Sequence, residues 1–353
     1  MAAEEKRGTR LFMVESSPHV GGDLTTPRVM LDVLIALAPA TLVALWFFKM
    51  YAVVLVVSCV AGAAFAEVLA NRLMHRSNSL GDLSAVVTGI ILAFCLPPNF
   101  PFYFAFMGGA VSTGIGKMVF GGLGANIFNP AMVGRAFLTA CFGTMMTTWT
   151  VPGTTQVIGS PEAIEYGVAH GLEAITQATP MGLVKQVLKS GGDDPEKLKT
   201  LVALMPRMCL GSVGGSLGET SAIAILLGGG WMLLRRTITW HIPVGVVLGA
   251  LAFALPAWLV SPAAVPNPGI HILGGAMLFG AFIIATDPVT CPLSAKGRLI
   301  FGVGVGILTM LIRILGGYPE GVMYAVLLMN ALTPFLDQWT KAKPLGLEGN
   351  SNA

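Results

Sequence analysis

The stretch VVLVVSCVAGAAFA, from Val53 to Ala66, is uncharged and consists almost entirely of aliphatic, aromatic and small residues. The apolar segment around it covers 51–71, with Glu67 as its only acid. A helix needs about 20 predominantly apolar residues to cross the hydrocarbon core of a bilayer. A segment that is apolar on all sides is therefore predicted to be a membrane-spanning helix.

The composition of the whole chain indicates the same class. Of its 353 residues, 54% are hydrophobic and 11% are charged, and the mean hydropathy is +0.75. A soluble domain carries about 25% charged residues, so a water-soluble enzyme and a disulfide-stapled secreted domain are excluded. The 44 Gly and 22 Pro fit membrane helices, in which both residues are commoner than in soluble ones. A net charge of +3 gives no reason to expect a nucleic-acid partner.

Cysteine and histidine spacing gives no sign of a metal centre. The cysteines contain no C-x-x-C motif, so we expect apolar packing roles and no iron–sulfur or zinc ligation within this chain. The histidines are scattered and are interpreted as ordinary interfacial residues. These residues are Cys59, Cys95, Cys141, Cys209 and Cys291, and His19, His75, His170, His241 and His271.

Ten segments are apolar enough to be membrane spans, which predicts an all-α polytopic membrane protein. The predicted spans are 30–48, 51–71, 82–97, 101–120, 131–149, 219–234, 242–260, 271–287, 299–315 and 319–336. The first 29 residues are polar and do not resemble a signal peptide.

The positive charges orient these spans. With a cytoplasmic N-terminus, the inner segments hold Lys6, Arg7, Arg10, Arg28, Arg72, Arg76, Arg235, Arg236, Lys296, Arg298, Lys341 and Lys343. This distribution follows the positive-inside rule and predicts that both termini are cytoplasmic. The predicted organisation is a cytoplasmic segment (1–29), five helices (30–149), an outer segment (150–217), five helices (218–337) and a cytoplasmic tail (338–353).

The two sets of five helices resemble each other. Val53–Ala66 is similar to Val244–Ala254, and Thr88–Pro97 is similar to Phe279–Pro288, with a Gly and a Pro eight residues apart in both. Because five is odd, the second unit would be inverted relative to the first. The third and eighth spans are short and end in proline. They are either helices broken at membrane depth or simple helix ends near the interface.

Ionisable residues within membrane spans are costly and are candidates for function. The candidates are Asp82, Lys117, Arg135, Glu219, Asp287, Arg313 and Glu320. Helix capping competes as an explanation for Asp82 and Glu219. Asp287 lies in Ala285–Thr290 (ATDPVT), where its carboxylate and the Thr286 and Thr290 hydroxyls could hold Na⁺ or carry a proton; a structural salt bridge is the alternative.

The linker GGLGANIFNPAMVGR, from Gly121 to Arg135, is rich in glycine and amide side chains. Its glycines let backbone amides approach a ligand closely. Asn126 and Asn129 offer amides, and Arg135 could bind phosphate or pair with an acid. A plain re-entrant turn would give the same pattern.

Several motifs together resemble the RnfD/NqrB family of membrane proteins, which belong to the Rnf electron-transport complex and to the Na⁺-translocating NADH:quinone reductase. The resemblance is stronger to the Rnf members and covers about nine-tenths of the chain. It rests on Ser17-Pro18-His19, GDLSAVVTGIILAFCLPP (81–98), NIFNPAMVGRAFL (126–138), GSLGETSAIAILLGG (215–229), ATDPVT (285–290) and GGYPEGVMYAVLLMNA (316–331).

The resemblance implies a covalent FMN on the outer segment. Members of this family carry FMN joined through its phosphate to a threonine, which a flavin transferase modifies at an Asp-x-x-Ser/Thr-Gly-Ala-Thr motif. That motif maps onto Glu173, Thr176, Gln177, Ala178 and Thr179, with Thr179 as the acceptor and Thr176 as the second choice. Glu173 and Gln177 depart from the motif's Asp and Gly.

The resemblance also implies a flavoprotein subunit, not catalytic alone, in the inner membrane of a bacterium or archaeon. Its complex would couple electron transfer between NADH and ferredoxin to Na⁺ or H⁺ movement, with iron–sulfur centres on partner subunits. A second, non-covalent riboflavin within the helices is a further expectation. The alternatives are a quinone-reductase subunit, a non-redox channel or transporter subunit, and a scaffold that only holds partners.

Overall fold

The structure is a computed structural model that describes residues 25–154, 156–170, 178–191, 194–318 and 320–341. Within these ranges the regular structure is helical, apart from one isolated antiparallel bridge between Thr150 and Val157. The helices are α1 (Thr26–Phe48), α2 (Met50–Leu73), α3 (Ser84–Phe94), α4 (Phe102–Thr113), α5 (Pro130–Cys141), α6 (Gly143–Met146), α7 (Pro161–His170), α8 (Pro180–Ser190), α9 (Pro195–Leu210), α10 (Ala222–Leu234), α11 (His241–Val260), α12 (Pro268–Leu273), α13 (Met277–Phe279), α14 (Ala295–Leu315) and α15 (Val322–Trp339).

The described residues include four helices that are long and apolar enough to cross a membrane: α1, α2, α11 and α14. Shorter apolar helices, including α3 and α10, pack beside them. A chain with this pattern is a polytopic membrane protein, as the hydropathy predicts.

The third and eighth predicted spans are short or interrupted, as their prolines indicate. Helix α3 ends at Phe94, before Pro97. The segment 271–287 contains the end of α12, then α13, and then a π-helical turn at Gly280–Ile284. The interruption coincides with Gly274–Gly275, where Gly275 has a φ of +65°, a conformation that favours glycine.

Several predicted boundaries differ from the structure, and two of these differences have a clear local cause. The span 131–149 is a shorter helix, because α5 ends at Cys141 and α6 is a separate turn. The span 219–234 starts later than predicted, at Ala222, because the Ser221 side chain caps α10 by accepting from the Ala224 amide at 3.3 Å.

Close approach through glycine holds the long helices together. Helix α11 packs extensively on α14, and α2 packs in the same way on α4. A Cβ atom on Gly249 of α11 would lie 2.2 Å from the Val303 carbonyl oxygen of α14. The absence of a side chain at Gly249 therefore sets the distance between these helices.

We expect Gly249→Ala to lower the thermal unfolding temperature of the protein in detergent, because its methyl group would clash with the α14 backbone. Gly230→Ala on α10 is the matched control, since nothing lies within 4 Å of its Cβ position. In a helix, Gly→Ala without a clash stabilises by roughly 0.5–1 kcal/mol. Equal unfolding temperatures for the two variants would contradict the close contact.

The segment between the two sets of membrane helices has a small apolar core of its own. Helices α8 and α9 pack together through side chains that include Val184, Val187, Leu201 and Leu204. Ile270 of α12 belongs to the same cluster. This packing fixes the start of α8, where Thr179 lies, against the membrane helices.

Candidate functional site

Thr179 lines a hollow of about 380 Å³, which we call the threonine cavity. Its walls also include Trp149, Glu219, Glu320 and the Gly274–Gly275 turn. Thr179 is 9% exposed and is the N-cap of α8, where its Oγ1 accepts a hydrogen bond from the Gly182 amide at 3.1 Å. The hydroxyl is thus held at the positive end of a helix.

Two acids in the wall of this cavity, Glu219 and Glu320, lie close to Arg135. It forms an ion pair with Glu320, and its Nη1 lies 3.7 Å from Glu219 Oε1. Arg135 and Glu219 are buried, and Glu320 is largely so. Of the two roles predicted for Arg135, the structure shows pairing with acids. Glu219 is not a helix cap, since Ser221 fills that position.

Arg313 is fully buried behind the Gly274–Gly275 turn. It donates hydrogen bonds to the His271 carbonyl at 2.6 Å and the Gly274 carbonyl at 3.2 Å. Its Nη2 lies 2.7 Å from the position of a Cβ on Gly275, so glycine is required there. His271 is itself fully buried, and the interpretation of it as an interfacial residue is therefore wrong.

Asn126 and Asn129 line a second hollow of about 750 Å³, the asparagine cavity. Asn129 caps α5 by accepting from the Met132 amide at 3.3 Å, and its Nδ2 donates to the Ile284 carbonyl at 3.1 Å. Asn126 Nδ2 donates to the Phe128 carbonyl, whereas its buried Oδ1 has no partner among the described residues. An unsatisfied buried oxygen indicates a missing hydrogen-bond donor.

Asp287 and Thr286 line the same asparagine cavity. The Asp287 carboxylate accepts from the Val289 amide at 3.2 Å and from the Thr290 hydroxyl at 3.3 Å. The Thr286 hydroxyl donates to the Phe282 carbonyl at 2.7 Å. Asp287, Thr286 and Thr290 thus lie together at the end of the interrupted segment, as the sequence predicts.

Glu67 is a functional candidate that the sequence reasoning missed. Lys117 Nζ lies 2.9 Å from Glu67 Oε1 and 3.8 Å from Asp82 Oδ2, and Lys117 also lines the asparagine cavity. Glu67 is 0% exposed. Its position as the lone acid of an apolar helix was a usable signal. Asp82 Oδ1 accepts from the Ser84 amide at 2.8 Å, but the N-cap of α3 is Leu83, so this bond closes a turn before the helix and Asp82 is not its cap.

The chain is similar to known proteins over nearly its whole length. The pattern of the NQR2, RnfD, RnfE family matches residues 13–346. The chain belongs to this family.

Relatives in this family match over nearly their full length. The D subunit of the proton-translocating ferredoxin:NAD(+) oxidoreductase complex of Clostridium ljungdahlii is 37% identical, over 98% of this chain and 99% of the relative. The D subunit of the Na(+)-translocating ferredoxin:NAD(+) oxidoreductase complex of Acetobacterium woodii is 38% identical, over 95% of each chain. The D subunit of the ion-translocating oxidoreductase complex of Stutzerimonas stutzeri is 41% identical, over 90% of this chain and 92% of the relative.

The predicted site residues of this chain lie at two different cavities. Asn126 and Asn129, predicted beside Arg135, line the asparagine cavity, whereas Arg135 contacts two acids of the threonine cavity. Arg135 lies six residues after Asn129, which on a helix is roughly 9 Å. Ala178 is buried next to Thr179. Glu173, Thr176 and Gln177 lie outside the described residues.

Cysteine burial is mixed. Cys59, Cys95 and Cys291 are buried, which agrees with the packing role predicted for them. Cys141 is exposed, and Cys209 is partly so.

Proposed function

We propose that this chain is the D-type membrane subunit of an ion-translocating ferredoxin:NAD⁺ oxidoreductase of the Rnf type. The observation that carries the proposal is its near full-length similarity to proteins of that name. The protein acts within a multisubunit complex, in which partner subunits supply the iron–sulfur centres and the nucleotide chemistry. The names of these relatives favour this function over a quinone-reductase subunit, a non-redox channel or a scaffold.

Loss of the gene tests this function. Membranes of a deletion strain should lose ferredoxin-dependent NAD⁺ reduction together with the coupled ion uptake, and the wild-type gene should restore both. A strain that keeps both activities without this protein would exclude the proposal.

The proposed topology is ten helices in two inverted five-helix repeats, with both termini in the cytoplasm and Thr179 on the outer side of the inner membrane. The second and fourth helices of each half, α2 with α4 and α11 with α14, form closely matching contacts. The first helices of the halves, α1 and α10, also touch, as do the last, α5 and α15. A two-fold relation between the halves would produce this pattern.

Thr179 is the proposed acceptor of a covalent FMN. A flavin transferase would join the Thr179 oxygen to the FMN phosphorus of FAD, with AMP leaving and the hydroxyl proton released. The phosphate would lie at the N-terminus of α8, where amides and the helix dipole favour an anion.

The bound flavin would supply one- and two-electron redox chemistry. The protein's part is to fix its position and to supply charge around it. Arg135, Glu219, Glu320 and Arg313 place two cations and two acids around this cavity. These four ionisable groups would respond to a change in the charge of a ligand bound in the cavity.

The asparagine cavity is the proposed site of a non-covalent flavin, with riboflavin as the proposed form. Asn126 offers an unpaired carbonyl oxygen, and amide side chains of this kind bind the edge of a heterocycle. Apolar walls from Val87, Ile91 and Ile283 would cover its rings.

Na⁺ or H⁺ is the proposed coupling ion, and Asp287 with Thr286 and Thr290 is the proposed ion-binding group. Glu219 and Arg313 would continue the pathway at the threonine cavity. Carboxylate and hydroxyl oxygens suit a hard cation, and a carboxylate can also carry a proton.

We expect Asp287→Asn to reduce ion uptake by reconstituted vesicles far more than it reduces flavin content, because it removes charge and keeps the side-chain shape. Asp337→Asn is the matched control, since Asp337 accepts from the Leu293 amide at 2.9 Å and lines neither cavity. Parallel loss of flavin and transport in Asp287→Asn would instead mean a folding defect.

A further inference from the structure

A third hollow, of about 530 Å³, adjoins the asparagine cavity and is assigned to neither proposed flavin. We call it the arginine hollow, because Arg236 and Arg298 line it together with the hydroxyls of Thr237, Thr239 and Thr286. It lies where α10 ends and where α11 and α14 begin. It shares Thr237, Ile238, Thr286 and Pro288 with the asparagine cavity, but no acid of the described residues lines it.

The two guanidinium groups keep hydrogen-bonding capacity for a ligand. Arg298 Nε donates to the Pro292 carbonyl at 2.9 Å and its Nη1 lies 3.4 Å from Thr239 Oγ1, which leaves Nη2 without a partner among the described residues. Arg236 is exposed and has a φ of +58°, an uncommon conformation for a residue with a side chain. These donors converge on one hollow from two helix ends.

The nearby acids are already engaged. Asp32 accepts from Arg235 Nε at 3.3 Å and from the Thr237 hydroxyl at 3.4 Å. Asp287 accepts within its own turn, and Asp337 accepts from the Leu293 amide. Among the described residues no carboxylate lines the hollow, so an anion from outside the chain can bind beside its two arginines.

An exposed apolar stripe begins at Trp240, the residue directly after Thr239 of the hollow wall, and runs along α11. Trp240, Val244 and Leu248 are spaced by four residues, so they share one face of α11 and its start, and all are exposed. Ile300, on the adjoining α14, is exposed as well. Tryptophan at such a position is typical of the membrane–water interface.

We propose that the arginine hollow binds the headgroup phosphate of an anionic phospholipid, whose acyl chains lie along the Trp240–Leu248 stripe. A guanidinium group can hold two phosphate oxygens at once, and Thr239 adds a hydroxyl. Basic pockets between membrane helices bind anionic headgroups in this way. The apolar stripe is what favours a lipid over a soluble phosphate. The proposal does not depend on either flavin.

Native mass spectrometry of the purified complex tests the proposal, with phosphatidylglycerol, phosphatidylcholine and inorganic phosphate as separate probes. We expect phosphatidylglycerol to bind at least about tenfold more tightly than phosphatidylcholine, a difference of about 1.4 kcal/mol. Arg236→Gln with Arg298→Gln should remove that preference. Lys296→Gln should keep it, because Lys296 is an exposed cation of the same region outside the hollow.

The outcomes separate a lipid from a free anion. Displacement of phosphatidylglycerol by millimolar inorganic phosphate would show a simple anion site and overturn the lipid assignment. Equal binding of the two lipids, or an equal loss in Lys296→Gln, would also overturn it.

A second measurement uses no arginine variant, so it does not depend on whether the arginine variants fold. Brominated phosphatidylglycerol should quench the Trp240 fluorescence, taken as the difference between wild type and Trp240→Phe, more strongly than brominated phosphatidylcholine at equal density. Equal quenching by the two lipids would contradict a site selective for anionic lipid.

Discussion

Replacing Thr179 with alanine is expected to eliminate covalent flavin from the purified protein and to reduce electron transfer through the complex to background. The alanine has no hydroxyl to join to the FMN phosphorus, so a flavin in the threonine cavity would lose its tether. In-gel fluorescence after denaturation measures the first effect, because only a covalent flavin survives. Ferredoxin-dependent NAD⁺ reduction measures the second.

Two further substitutions separate this chemistry from folding. Thr179 also caps α8, and loss of a cap costs about 0.5–2 kcal/mol. Thr179→Asn keeps a good capping group but no nucleophilic hydroxyl, so it should fold normally and lack flavin. Thr179→Ser keeps both and should retain flavin. Covalent flavin in Thr179→Asn would move the acceptor to another residue, with Thr176 the next to examine.

Removing the charge of Lys117 is expected to destabilise the protein severely. Lys117→Met would leave Glu67, which is 0% exposed, without its cation inside a membrane protein. Breaking a buried ion pair on one side costs about 3–5 kcal/mol, because the remaining charge is buried and unpaired. Thermal unfolding in detergent should show a large decrease in midpoint temperature.

Two controls show whether burial is the cause. Lys117→Met combined with Glu67→Gln removes both charges and should recover most of the lost stability. Lys197→Met breaks the pair with Asp194, in which the two side chains are 39% and 51% exposed. An exposed pair is worth only about 0–1 kcal/mol, so this change should have little effect. A double variant as unstable as Lys117→Met would contradict the explanation.

The long helices could be predicted from sequence because their signal is local. Helices α1, α2, α11 and α14 are continuous apolar segments, and hydropathy alone places them. The interruption at Gly274–Gly275 was not predicted, because the expectation of a broken span rested on the prolines at its end. Helix starts depended on caps such as Ser221, which shift a boundary by a few residues.

The grouping of site residues could not be predicted, because it depends on which helices pack together. Asn129 and Arg135 belong to one motif, yet helix α5 carries them to different cavities. Glu320 reaches Arg135 from 185 residues along the chain, and Lys117 reaches Glu67 from 50. The spacing of residues within a single motif cannot predict pairing of this kind.

The two cavities also separate the proposed tasks. The threonine cavity would hold a tethered flavin beside a neutral set of buried charges, and the asparagine cavity would hold a free flavin beside Asp287. A channel without redox chemistry would need neither an acceptor threonine nor an unsatisfied Asn126 oxygen. The proposed tether at Thr179 is thus the feature that would most clearly distinguish a redox protein from a channel.

The most direct test of the covalent tether is the intact mass of the protein, purified after expression with an active flavin transferase. We predict an added mass equal to one FMN less one water, located by peptide mapping on the fragment that contains Thr179 and absent from Thr179→Ala. An unmodified mass, with the transferase shown to modify a known acceptor in the same cells, would contradict the assignment of Thr179 as the flavin-bearing residue.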